Sequence, residues 1–512
     1  MNQTSIFDIL YPKYKITKPI RLIEFFAGYG SQALALKYLG VPFEHWKICE
    51  WAVKSIQAYK DIHFTDDNTD YTVAGELGVA EEWIKEWLYK KGISNNYNEP
   101  MTKQQIDRLN KEQVKLIYNN IQATHNLVNI QQVKGKDLEI VDTDKYDYIM
   151  TYSFPCQDLS LAGKGKGMSD TSTRSGMLWE VERILTECNE LGTLPQILLM
   201  ENVPQVHSED NIKDFHKWQL KLESLGYKNY MQDLIATDYG IPQTRNRCFM
   251  VSILGDYSYT FPQPIPLKLK LKDLLEQNVD EKYYLSDKQI KDIQSWNAYE
   301  KPLENMEKMD KSNISQTLTT RSGAYAASMI LIKNNTKQGY LEATEGDGID
   351  LAQPNSETRR GRVQKEAIQT LTTQNNLGVC VGTYQYAKSD NFMKGKDRLQ
   401  IGKETSDTIQ TTQKEGVVIL GNYSPSNHNA SRIIDSEHCS PTVMENHGTV
   451  TATQTSDLRI RKLTPKECFR LMGVSDEDFE KCAKNQSNAS LYHLAGDSIV
   501  VNILCEIFKQ LL

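Results

Sequence analysis

The chain reads as an α/β protein. It is expected to hold a mostly parallel Rossmann-like sheet with helices on both faces and a helical insertion, plus a second, β-rich domain containing internal repeats. Three observations predict this. Short apolar runs alternate with amphipathic helical stretches over residues 21–254, the pattern of βαβ units. The alternation then stops, and residues 268–451 become rich in Thr, Ser, Asn, Gln and Gly with short β-like runs. Within that stretch a six-residue pattern recurs: "SQTLTT" (Ser315–Thr320), "IQTLTT" (Ile368–Thr373), "DTIQTT" (Asp407–Thr412) and "PTVMEN" (Pro441–Asn446).

The elements follow in order. "RLIEFF" is a strand, "AGYG" a turn, "SQALALKYLG" an amphipathic helix closed by Gly40, and "HWKICEW" a second strand. Residues 66–128 change to a polar, helical texture and read as an inserted arm. "YDYIMTYSF" is the next strand, and Pro155 ends it by restricting the residue before it. "GMLWEVERILTEC" is a helix, "PQILLMENV" a strand, "DFHKWQLKLESLGY" a helix stopped at Gly226, and "NRCFMVSIL" a strand. The chain ends with "RKLTPKECFRLMGV" and "HLAGDSIVVNILCEIFKQLL", helices apolar enough to need the first sheet as a partner. The expected domains are 1–260 with 457–512, and 261–456. Ligands of such sheets sit beyond the carboxyl ends of the strands, so Phe26–Gly30, Glu50–Trp51, Pro155–Cys156 and Glu201–Asn202 should share one rim.

Composition narrows the function classes. A content of 39% hydrophobic and 24% charged residues is that of a soluble globular protein. No apolar run approaches a membrane span and "MNQTSIFDILYPKYK" lacks a signal-peptide pattern, so a cytoplasmic, nucleoid-associated location is expected. The nine cysteines are scattered without a CxxC pair, which argues against disulfides and a structural zinc site, and no metal is expected. The net charge of −7 is uneven: Pro354 to Ile434 carries eleven Lys and Arg against seven Asp and Glu. Phosphate binding depends on such local patches.

Certain residue types stand where chemistry would need them. Gly28 and Gly30 let backbone N–H groups approach a ligand at a helix start, although a tight βα turn wants glycine anyway. Glu50 can accept ribose hydroxyls and Trp51 can stack on adenine, against the plainer alternative of a surface Glu and a packing Trp. Cys156 sits at the rim in "SFPCQDLS", where a nearby helix start or arginines would favour the thiolate. The Gly163–Gly167 segment, with Lys164 and Lys166, has the composition of a closing lid. Glu201, leaving a hydrophobic strand, is paired, capping, or poised to give up a proton at raised pKa. Gln243, Arg245 and Arg247 alternate and so share one strand face. Arg–apolar pairs at Arg362–Val363, Arg398–Leu399 and Arg432–Ile433 precede the last three repeats, which are either a duplicated scaffold or reading elements.

The ordered series "FFAGYG", "EW", "SFPCQDLS", "MENV", "QTRNR", "SPTVMEN" and "GDSIVVNIL" resembles the DNA (cytosine-5) methyltransferases of bacteria and phages. The resemblance implies methyl transfer from S-adenosylmethionine to carbon 5 of a flipped cytosine in a specific double-stranded DNA sequence. Cys156 is the implied nucleophile, with Glu201, Arg245 and Arg247 as its catalytic partners. Phe26, Gly28, Gly30, Glu50, Trp51, Asn129, Pro155, Asp497 and Ser498 are the implied cofactor residues. Gln157, Ser160, Lys164, Lys166, Gln243, Arg362, Arg398 and Arg432 are expected to meet DNA. Arg432–Val450 is taken as the family's penultimate motif and the earlier repeats as its copies. Two departures stand out: Asp497 where the family often has Asn, and Asn129 where it usually has Asp. A monomer is expected, with a cognate restriction endonuclease as a separate partner. The competing expectations are an RNA (tRNA) cytosine-5 methyltransferase and an inactive cofactor-binding DNA-recognition module.

Overall fold

The structure is a computed structural model and describes residues 12–73, 80–155, 175–285, 330–336, 339–353, 356, 358, 360–373, 376–386, 419–422, 432–434 and 452–512. Two compact units emerge. One comprises Met1–Gln277, Gln369–Asn375 and Leu463–Leu512; the other comprises Asn278–Ile368 and Asn376–Lys462. The division thus falls later than the sequence expectation at both ends. It also returns one heptapeptide, 369–375, to the first unit.

The first unit is built on a six-stranded sheet in the order β2-β1-β3-β4-β6-β5. The strands are β1 (Ile20–Phe25), β2 (Phe43–Cys49), β3 (Asp147–Tyr152), β4 (Ile197–Asn202), β5 (Tyr227–Ile235) and β6 (Asn246–Leu254). β1 to β4 pair in parallel, whereas β6 runs antiparallel to both β4 and β5. β3 and β4 are buried along their whole length, as expected of central parallel strands covered on both faces. β5 was not anticipated from sequence. It is an edge strand with polar Lys228, Asn229, Gln232 and Asp233 interrupting any apolar alternation.

Helices cover both faces. α1 (Ser31–Tyr38) starts on Gly30, and α2 (Val53–His63) follows β2. α6 (Leu178–Glu190) and α7 (Ile212–Ser224) bury Val181, Ile184, Leu185, Phe215, Trp218 and Leu222 in one core with β3 and β4. Each such side chain contributes roughly 1.5–3 kcal/mol by leaving water. At the carboxyl end lie α8 (Pro465–Arg470), α9 (Asp476–Ala483), α10 (Asn488–Asp497) and α11 (Val501–Leu511). α8 opens with a capping box in which Thr464 and Glu467 satisfy each other's backbone N–H groups. α11 packs on α1 through an apolar stripe of Ile503, Leu504, Ile507 and Phe508. By length and composition Asn488–Leu511 could cross a membrane, against the sequence expectation; 72% of its window is buried in the protein, and the chain breaks between α10 and α11. This is the signature of core helices.

The inserted arm holds α3 (Glu81–Lys91), α4 (Lys103–Asp107) and α5 (Lys111–Ala123). It has its own small core of Ile84, Leu88, Ile93, Ile117 and Ile121, on which Trp51 rests half-buried. Backbone bonds from Ser94 N to Trp51 O (2.8 Å) and from Val53 N to Ser94 O (2.9 Å) tie the arm directly behind Glu50.

The second unit carries β7 (Ile330–Lys333), β8 (Tyr340–Ala343), β9 (Gly348–Asp350), β10 (Val363–Gln364), β11 (Leu377–Tyr386), β12 (Ile419–Asn422), β13 (Arg432–Ile434) and β14 (Ala452–Lys462). Its main sheet has the order β10-β9-β11-β14-β13-β12. Ile332, Ala343, Ile349, Cys380 and Ile460 form the core.

Candidate active site

One side of the rim is made by the β1–α1 turn and the tip of β2. Phe26, Gly28 and Gly30 all take positive φ (57°, 56° and 83°). At Phe26, a non-glycine residue, that geometry is strained. At Gly30 a Cβ would collide with the Tyr59 and His63 side chains, so the turn admits no larger residue. Gly28 N–H donates to Glu50 Oε2 at 3.0 Å, and Ala52 N–H donates to Glu50 Oε1 at 2.8 Å. Burial, with the Asp497 charge as a smaller contributor, pushes the Glu50 carboxyl up to about 7 against those hydrogen bonds. Asn129 stands half-buried, its side-chain oxygen accepting from Gln131 N–H at 3.1 Å.

The opposite side of the rim is made by β4 and β6. Glu201 is the penultimate residue of β4 and is 8% exposed. Arg247 Nε lies 3.1 Å from its Oε1. This pairing depends on strand direction. β6 runs antiparallel to β4, with Asn202 opposite Cys248, so the start of β6 meets the end of β4. A parallel β6 would put Arg247 at the far edge of the sheet. Burial raises the Glu201 pKa although the Arg247 and Arg245 charges oppose it; Asp497 adds to the rise.

Asn202, the next residue, was named in the sequence only as part of an elbow. Its Nδ2 donates to Phe154 O at 3.0 Å and its Oδ1 accepts Val203 N–H at 2.8 Å. It therefore fixes the end of β4 to the backbone just before Pro155. Asn126 does the same work across the rim. Its Oδ1 accepts from Glu50 N–H (3.1 Å) and Val128 N–H (2.8 Å), and its Nδ2 donates to Glu50 O (2.9 Å). Nothing in the sequence marked it, because the signal is a side chain replacing a strand's hydrogen bonds.

Several expectations need correction. Arg245 is 3% exposed, and its guanidinium donates to Leu371 O, Gly496 O and Ser498 O at 3.2, 3.1 and 2.7 Å. Its charge acts on Glu201, but its hydrogen bonds tie backbone segments together and leave it a positioning residue, not a catalytic one. Gln243 is fully buried and binds Leu471 O (2.7 Å) and Leu371 N–H (3.0 Å), so it is no DNA contact. Arg362 is also buried, donating to the carbonyls of Ala352 (3.1 Å) and Gln353 (2.7 Å) within its own unit; it braces a loop and is not available to phosphate. The Ser498 hydroxyl donates to Leu494 O, ending α10. Among the described residues, the repeat that lies on Gln243 and Arg245 is the second one, through Leu371. Cys156, Gln157, Ser160, Lys164, Lys166, Arg398 and Pro441–Asn446 lie outside the described residues, as does the Arg432 side chain.

Among the described residues, His207, Asp233 and Cys248 could share a metal ion, their ligand atoms lying within 4.8 Å of one another. His207 and Asp233 already pair at 3.0 Å, and burial pushes the Cys248 thiol up, away from the thiolate a metal takes.

The model of the C-5 cytosine-specific DNA methylases matches residues 91–512. Orphan methyltransferase M.SssI of Spiroplasma monobiae is 30% identical over 411 residues, covering 79% of this chain and 94% of that protein. Type II methyltransferase M2.ScrFI of Lactococcus lactis subsp. cremoris is 28% identical over 497 residues, 96% of this chain and 99% of its own. The orphan methyltransferase M.SPRI of Bacillus phage SPR is 26% identical over 427 residues, 76% of this chain and 88% of that one. A match that runs through the β4–β6 rim, the second unit and the closing helices makes this chain a member of the C-5 cytosine-specific DNA methylase family.

Proposed function

We propose that this DNA methyltransferase acts through a covalent cysteine intermediate on a cytosine turned out of double-stranded DNA, with S-adenosylmethionine as donor. The observation that carries the reading is the pair of buried Glu201 and half-buried Arg247, tethered by Asn202 to the backbone two residues before Cys156. Cys156 Sγ adds to ring carbon 6 as a thiolate. Glu201, whose proton affinity is raised by burial, holds a proton at ring nitrogen 3 and so lets carbon 5 become electron-rich. Arg247 orients Glu201 and offers N–H groups to the ring carbonyl oxygen. Loss of the carbon 5 proton and expulsion of Cys156 complete the reaction.

When bound, S-adenosylmethionine supplies a methyl group activated by its sulfonium. The residues fit it. The Glu50 carboxylate takes backbone N–H groups from Gly28 and Ala52, with a further contribution from Trp51, and keeps lone-pair capacity for a ribose hydroxyl. Phe26, Gly28 and Gly30 border the cofactor, and Trp51 and Asn129 flank its base. Pro155, Asp497 and Ser498 line the methionine end. Gln157, Ser160, Lys164, Lys166, Arg398 and Arg432 serve DNA.

Duplex DNA carrying 5-fluorocytosine tests this, because fluorine cannot leave carbon 5 as a proton does. A denaturant-stable adduct is expected with the wild-type enzyme and none with Cys156→Ala. An adduct that persists in Cys156→Ala removes that residue from the mechanism. Labelled methyl transfer to tRNA and not to duplex DNA would instead reverse the substrate.

A further inference from the structure

The inserted arm has no part in the steps above, yet both of its ends are fastened to the tip of β2. β2 is an edge strand of its sheet, so the outward backbone groups at its tip need partners from elsewhere. The arm supplies them. Leu127 N–H donates to Ile48 O (2.8 Å), Ser94 N–H donates to Trp51 O (2.8 Å), and Ser94 O accepts Val53 N–H (2.9 Å). Glu50 stands between these two bridges, and there the partner is a side chain. The buried Asn126 amide accepts the Glu50 N–H (3.1 Å) and donates to Glu50 O (2.9 Å).

The same amide reaches the base side. Its Oδ1 also accepts Val128 N–H at 2.8 Å, and Val128 has φ 70°, which is strained for a β-branched residue. Its surroundings hold it there: the Cys49 thiol donates to Val128 O at 3.4 Å, and the Val128 side chain is buried in the arm's core. The next residue is Asn129. Its Nδ2 lies beside Gly92, the left-handed end of α3, where a Cβ would stand only 3.0 Å away. Trp51 packs against the arm's core. Glu50, Trp51 and Asn129, the residues assigned to ribose and base, are therefore all held by one arm, and Asn126 joins the first to the last.

We propose that the inserted arm is the clamp for the adenosine half of the cofactor, with Asn126 as its fastening. Asn126 is a positioning residue. It sets the spacing between the carboxylate that meets the ribose and the loop that meets the base. The clamp governs how tightly the cofactor is held and leaves the methionine end and the chemistry at cytosine to other residues. The inference rests on S-adenosylmethionine being the donor.

Isothermal titration of the full chain tests it, with S-adenosylmethionine and with 5′-methylthioadenosine, which keeps the adenosine half and lacks the amino-acid end. Asn126→Ala is expected to weaken both by the same factor, roughly three- to thirtyfold, with kcat at saturating cofactor falling by less than about twofold. Asn120→Ala is the control for a purely structural role. Its buried amide belongs to the same arm but donates to Gln57 Oε1 on α2 (2.7 Å), so it should lower the urea midpoint while both affinities stay near wild type. Gly92→Ala crowds Asn129 from the arm side and carries the test if Asn126→Ala does not fold; both ligands should again weaken together. Unchanged affinities in the folded variant overturn the proposal. So does a loss confined to S-adenosylmethionine, a fall in kcat as large as the loss of affinity, or equal weakening by Asn120→Ala. A wild-type chain that binds neither ligand refutes the cofactor assignment itself, a failure distinct from wild-type binding that the variants leave unchanged.

Discussion

Glu50 and Glu201 sit at the tips of two strands of one sheet, and both are buried carboxyls with raised proton affinity. Their partners differ. Glu50 is gripped by backbone N–H groups that do not titrate, whereas Glu201 faces a guanidinium on a neighbouring strand. Backbone donors make a rigid acceptor, suited to orienting a ligand's hydroxyls. A carboxyl balanced between burial and a cation is suited to exchanging a proton during a reaction. Burial alone therefore does not assign a role to a carboxylate; the kind of donor that compensates it does.

The sharpest way to break this contrast is to remove the proton from one and the charge from the other. Glu201→Gln is expected to lower kcat by about 10²–10⁴-fold while cofactor affinity stays near wild type. Stopped-flow or single-turnover methylation beside a binding titration measures the split, and a variant that retains wild-type kcat would deny Glu201 its proton. Glu50→Gln sets an amide NH₂ against a backbone N–H and should weaken cofactor binding by roughly 10–100-fold, with a smaller change in kcat at saturating cofactor. If kcat falls as far as in Glu201→Gln, the two carboxyls do not divide the labour as described.

Arg245→Met comes next in size. It leaves three backbone carbonyls without their guanidinium, and a loss of about 1–3 kcal/mol in unfolding free energy is expected. The same change removes a charge that lowers the Glu201 pKa, so the residual activity should show its Glu201-dependent limb displaced to higher pH. Urea denaturation and a pH–rate profile read the two effects separately. Smallest is the pH dependence of cofactor-free stability. Glu50 has a folded pKa of about 7, above its unfolded value. Its contribution is complete below pH ~4.5 and lost as pH rises toward and through 7, by about 1–3 kcal/mol. Buried Glu24, also pushed up to about 7, acts in the same direction. Glu50→Gln should flatten roughly half of that slope, and an unchanged slope would contradict the raised pKa.

Much of this was legible because β-strand tips and glycine turns announce themselves. "FFAGYG" followed by an acidic residue after the next strand, and "MENV" after an apolar run, gave the rim its Phe26, Gly30, Glu50 and Glu201. The antiparallel course of β6 was not legible, since β5 is a polar edge strand whose pattern hides it. Without β5, the alternating "QTRNR" motif reads as three groups sharing one strand face. In the fold only Arg247 meets Glu201, while Gln243 and Arg245 turn to the backbone of Leu371 and of the closing helices. Asn126 and Asn202 escaped notice for a related reason: amides that replace backbone partners leave no periodicity behind.

The return of residues 369–375 to the first unit has an architectural consequence. Backbone contacts at Leu371 pin the chain midway through a long excursion, dividing it into two spans, 278–368 and 376–462, each anchored at both ends. The two spans then rejoin in one sheet, where β9 of the first pairs with β11 of the second. The second unit is thus one sheet built from both sides of a single fastening, which Gln243 and Arg245 hold by hydrogen bonds to Leu371.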